Sequence, residues 1–126
     1  MIIPSKLTVT DNGTTIPFNP IVVSTSDVKT GGNKASSHQS MLIEVDSLTI
    51  TNDIPDGATN KFYEFVVNGD VRIDDALFLR YGTPANGPYP PVGFTNTTTF
   101  QKIQGILGFS FSNSKIWPRD NVDIVR

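Results

Sequence analysis

The pair Asn68-Gly69 constrains this chain more than any other two residues. A two-residue turn of type I′ needs positive φ at both central positions, and Asn-Gly supplies that at least cost. Before it, Lys61–Val67 alternates, with Phe62, Glu64 and Val66 on one face and Tyr63, Phe65 and Val67 on the other. After it, Val71-Arg72-Ile73-Asp74 returns with apolar and charged residues alternating. The pattern predicts an antiparallel hairpin closed by a two-residue turn.

Two longer strands flank this hairpin in sequence. Met41, Ile43 and Val45 share one face, whereas Leu48 and Ile50 share a face only if the phase slips by one residue at Asp46-Ser47. Such a slip predicts a β-bulge that bends a long strand so that it serves both halves of a barrel. In Phe100–Phe111 the alternation assigns Ile103, Gly105, Leu107, Phe109 and Phe111 to the core, with Gly105 permitting a sharp bend. Ser112-Asn113-Ser114 reads as a turn, and Lys115-Ile116-Trp117 opens a last strand that Pro118 ends or confines to an edge. Thr83–Gly93 holds Pro84, Pro88, Pro90 and Pro91, which leaves no room for a helix. The expected fold is therefore all-β, a five-stranded OB-type barrel with a Pro-rich loop where many such barrels carry a helix. Its expected lining is Ile43, Val45, Ile73, Leu107 and Phe109.

Residues 1–40 are less regular and read as an N-terminal strand and connector, with the barrel over 41–126. Leu7-Thr8-Val9-Thr10 alternates into the turn Asp11-Asn12-Gly13, and two prolines keep Ile16–Pro20 extended or at an edge. Ser26 or Asp27 is placed to cap a single helical turn before Gly31-Gly32, and Lys34–Ser40 is a loop or a short helix. At 126 residues the chain has the length of one domain. With only 17% charged residues, its composition favours strands and turns.

The stretch Met41–Val125 resembles OB-type domains of secreted bacterial proteins. The likeness rests on Phe62-Tyr63-Glu64-Phe65, Val71-Arg72-Ile73-Asp74-Asp75, Pro90-Pro91-Val92-Gly93, Ile103–Phe111, Lys115–Arg119 and Asp123-Ile124. Such domains occur beside extracellular nuclease (endonuclease/exonuclease/phosphatase-type) and lamin-tail domains and in myxobacterial-type lipoproteins. The resemblance implies an extracellular or cell-surface setting. It also implies tandem units, with residues 1–12 similar to the last strand of a preceding one. Met1-Ile2-Ile3-Pro4 is far too short for a signal peptide, so an export signal is expected outside these residues. No stretch approaches the ~18 apolar residues of a membrane span.

No catalytic constellation is legible, so a non-enzymatic module is expected, and no pattern asks for a cofactor. The absence of cysteine excludes disulfides, thiol catalysis and Cys-ligated zinc. The one histidine, His38, stands among serines in a polar stretch and reads as a loop residue. Glu44 and Glu64 read as solvent-face residues of strands. Asp70, Asp74 and Asp75 form the densest acidic group, a weak calcium candidate without EF-hand spacing, whose simpler role is accepting backbone N–H groups or pairing with Arg72 or Arg119.

Tyr63, Phe65 and Trp117, set among Arg72, Lys115 and Arg119 with Lys61 and Lys102, form the candidate binding face, since OB barrels stack bases on aromatics beside a basic groove. A net charge of −2 and a pI near 5.1 disfavour nucleic acid unless a local basic stripe exists. Leu7, Thr8, Val9 and Thr10 form a candidate assembly strand for pairing with another copy or a neighbouring domain. Assembly or scaffolding in an exported protein is thus the expected function. The alternative is a nucleic-acid- or glycan-binding accessory domain of a secreted nuclease-type enzyme.

Overall fold

The β-branched and aromatic runs form strands in the computed structural model, which describes Gly13 and residues 18–58, 64–77 and 94–126. The longest are β2 (Leu42–Asn52) and β5 (Thr99–Ser110), paired antiparallel from Leu42↔Ile106 to Thr49↔Thr99. The hairpin strands β3 (Phe65–Val67) and β4 (Val71–Ile73) pair with each other, and β3 also joins the far end of β2. β6 (Asn113–Trp117) returns antiparallel along β5 and lies parallel to β4. The order β2-β3-β4-β6-β5, closed by β2–β5, is a five-stranded OB-type barrel. Two short strands are added outside it: β1 (Ile21–Val22), parallel to β2, and β7 (Ile124–Val125), antiparallel to β5. One helical turn, α1 (Thr25–Val28), precedes the barrel, and its cap is Ser24, whose hydroxyl accepts from the Asp27 N–H, rather than Ser26 or Asp27. Among the described residues no helix is long and apolar enough to cross a membrane.

The phase slip in β2 is present, but its cause is not an inserted residue. Val45↔Ile103, Asp46↔Lys102 and Leu48↔Phe100 keep one register across it. Ser47 takes φ 55°, and β5 changes its buried face opposite, between Phe100 and Ile103, so the two strands bend together. Asn68 supports the bend by accepting from the Thr49 N–H and donating to the Ser47 carbonyl oxygen. The register shift lies further along, between Ile50 and Asn52, where β3 joins.

The core gathers Ile43, Val45, Leu48, Ile50, Phe65, Val67, Val71, Ile73, Phe100, Ile103, Leu107 and Ile116. Val23 and Val28 belong to the same cluster, so this part of the connector is packed into the barrel. Four of the five expected lining residues are there; Phe109 is not, being 53% exposed. Phe111 is 91% exposed, because β5 ends at Ser110 and Phe111-Ser112, not Ser112-Asn113-Ser114, make the turn. The Asn68-Gly69 turn forms with both φ values positive and the Asp70 N–H donating to the Val67 carbonyl oxygen. Val67 pairs with Val71, however, so Asp70 adds a third loop residue. Ala76 and Leu77 take helical backbone; Thr83–Gly93, Lys61–Tyr63 and Leu7–Thr10 lie outside the described residues.

Candidate functional site

Strand alternation sends Ile73 and Ile116 inward, and their neighbours Arg72 and Lys115, partners in the parallel β4–β6 register, to the other face. Glu64, just before β3, and Asp74, just after β4, meet them there. Lys115 is only 2% exposed, and its ammonium donates to Glu64 Oε1 and, at 3.0 Å, to Asp74 Oδ2. Arg72 Nη1 reaches Glu64 Oε2 at 2.9 Å and Asp56 Oδ2 at 2.8 Å. Asp56, Arg72, Glu64, Lys115 and Asp74 thus form one alternating chain of charges.

Burial favours the neutral form of Lys115, but the hydrogen bonds to Glu64 and Asp74 outweigh it and raise its pKa above the ordinary value. The same balance, with Glu64 and Asp56, raises that of Arg72. Asp75 lies at the end of this chain of charges, beside Asp74, and no cation among the described residues forms an ion pair with it. Burial first, and the charge of Asp74 second, push its carboxyl up to about 7.

These groups line a cavity of about 440 Å³ together with Ala76, Ser110, Phe111, Asn113 and Trp117. Trp117 is set by a glycine. A Cβ on Gly108 would lie 2.4 Å from the indole Cη2, so the ring packs against bare β5 backbone. Gly105 has a separate reason, because a Cβ there would meet the Trp117 carbonyl carbon and oxygen at 2.7 Å. Among the described residues, two buried side-chain polar atoms have no hydrogen-bond partner: Asp75 Oδ2 and Trp117 Nε1. Both belong to residues of this cavity.

Arg72, Lys115 and Trp117 are therefore brought together as the sequence suggests, with Asp74 and Asp75. Phe65 is not a stacking platform: it is fully buried, its ring stacked on Phe100 at 6.0 Å and edge-on to Phe94 at 5.9 Å. Its face of β3 is the core face. Arg119 is held by Asp123, and Tyr63 lies outside the described residues. The acidic trio does not assemble as a calcium site. Asp70 accepts from the Thr25 hydroxyl and pairs with Lys29, Asp74 pairs with Lys115, and no metal-holding group of three such side chains occurs among the described residues. Glu64 is a buried hub rather than a solvent-face residue, while Glu44 is half-buried and takes Lys102 and Gln104. His38 contacts the Ser37 hydroxyl through Nδ1 at 2.9 Å. Phe111, Asp56 and Asn113 are cavity residues that sequence reading missed. The signal for Phe111 was an aromatic standing against the Ser-Asn-Ser run, where a turn competes with strand alternation.

No protein-family model, no curated protein and no solved structure matches the chain.

Proposed function

We propose that the chain is a non-catalytic recognition module of an exported or cell-surface protein, and that its cavity takes a neutral saccharide. The observation that carries the reading is that Trp117 and Asp75 line one cavity and each holds a buried polar atom, Nε1–H and Oδ2, with no hydrogen-bond partner among the described residues. A sugar hydroxyl donates and accepts through one oxygen, so hydroxyl groups answer both. The C–H face of a sugar ring suits the aromatic lining of Trp117 and Phe111. The cavity lies on the OB surface where oligosaccharides and oligonucleotides bind, which is an analogy of fold. Against an oligonucleotide, four carboxyl groups of the lining outnumber Arg72 and Lys115. Arg72, Lys102, Lys115 and Arg119 are each paired with a carboxylate, which leaves little field for phosphates. The exported setting follows the resemblance to domains of secreted proteins.

Titration with neutral cello-, xylo-, manno- and chito-oligosaccharides, read by NMR shifts of the Trp117 indole N–H, tests this reading. Trp117→Phe keeps an aromatic plane, loses no internal hydrogen bond, and is expected to weaken binding about 3- to 10-fold. Binding of oligothymidylate in preference to every sugar refutes the saccharide; hydrolysis of a bound sugar refutes the non-catalytic role.

A second reading, assembly by strand pairing, is favoured by the exposed Ile21 and Val22 of β1 beside exposed Phe18. It predicts self-association at high protein concentration that is lost when residues 1–12 are removed. A strictly monomeric full chain excludes it.

A further inference from the structure

Two hairpins in this chain turn through a pair of left-handed residues, in a three-residue loop between β3 and β4 and a two-residue loop between β5 and β6, with very different residue types. In the β3–β4 hairpin, positive φ falls on Asn68 (53°) and Gly69 (70°), the types that reach this region most readily. In the β5–β6 hairpin, Ser110 pairs with Asn113, so Phe111 (φ 48°) and Ser112 (φ 62°) hold both central positions. A bulky residue in the left-handed region is an outlier, because its Cβ crowds the following carbonyl. Core packing does not compensate, since the Phe111 side chain is almost wholly exposed. An aromatic ring is therefore held in a disfavoured backbone and displayed to solvent at once.

What Phe111 does meet is the cavity. Lys115 Nζ lies 5.5 Å from its ring centroid, and the Asn113 side-chain amide donates to its carbonyl oxygen at 2.8 Å. Lys115 is paired in turn with Glu64 and Asp74, so the cation beside the ring is a buried one with its own carboxylate partners. The rest of the ring faces solvent at the mouth of the cavity that Trp117 and Asp75 also line. Backbone strain of this kind persists where the surroundings over-determine it, and it concentrates at ligand sites.

We propose that Phe111 is a ligand-contacting specificity residue: the left-handed turn holds its ring at the cavity mouth to stack on the C–H face of the bound saccharide. This rests on the saccharide reading above and adds to it a trade of stability for recognition, localised to one turn. Residues better suited to the turn would make the fold more stable and the site worse.

Rebuilding the turn with the residues of the other hairpin, Phe111→Asn with Ser112→Gly, tests the trade directly. The expected result is a Tm higher by about 3–6 °C, with affinity for the best-bound of the cello-, xylo-, manno- or chito-oligosaccharides lower by about tenfold. Phe111→Tyr, which keeps a ring in the same backbone, is expected to retain binding within about threefold. Unchanged affinity in the rebuilt variant, or a lower Tm, overturns the proposal while leaving the saccharide reading intact. An unmodified protein that binds none of these sugars overturns the saccharide reading, and this inference with it.

Discussion

Asp75 ionises from an ordinary 3.8 in the unfolded chain but from about 7 in the fold, burial being the main cause and Asp74 the second. Below pH ~4 both states hold the proton and no stability is lost. Between pH ~4 and ~7 the unfolded chain releases it and the fold does not, so stability falls as pH rises and levels off above pH 7. The effect is of the order of 4 kcal/mol at most. Asp75→Asn is expected to flatten this slope, read from urea midpoints across pH 4–8; an unchanged slope would place the titration elsewhere. Glu64 shows why residue roles escaped the sequence. Its position in an alternating strand suggests solvent, but two cations from different strands, Arg72 and Lys115, converge on it. No pattern local to Glu64 encodes their arrival.

At the scale of elements, β5 and β6 fit through two glycines with different jobs. Gly105 lets the Trp117 backbone approach, whereas Gly108 makes room for the Trp117 ring. Gly105→Ala is expected to be the more destabilising, by about 2–3 kcal/mol, because backbone cannot move aside. Gly108→Ala is expected to cost about 1–2 kcal/mol, to shift the fluorescence of the chain's one tryptophan, and to weaken saccharide binding more than Gly105→Ala. The reverse order in both measurements would refute this division. The strands themselves were legible from alternation, and so was the bend in β2. Its mechanism was not. A bulge and a paired bend give the same one-residue slip when a single strand is read, and only the partner strand, slipping at Phe100–Ile103, tells them apart.

At the scale of the molecule, the connector and the charge chain complete the barrel. Val23 and Val28 reach the core that Ile43 and Ile73 line, so a chain beginning at Met41 loses two buried side chains and the β1 pairing. Val28→Ala alone is expected to cost about 2 kcal/mol in chemical denaturation. Lys115→Met, which strands Glu64 and Asp74 without their cation, is expected to cost about 3–5 kcal/mol in chemical denaturation at neutral pH. A loss below about 1 kcal/mol would mean that the buried ion pairs do not hold this side of the barrel. By itself the sequence determined the all-β class, the hairpin at Asn68-Gly69, the long bent strand and most of the lining. Those features follow from backbone preference and two-residue periodicity, which are local. Tertiary structure alone decided that Phe65 is core, that Phe109 and Phe111 are not, and that Trp117, Asp75 and the buried charges share one cavity. Those outcomes depend on where a strand stops and which strand lies beside it, and barrel closure, not any short stretch of residues, sets both.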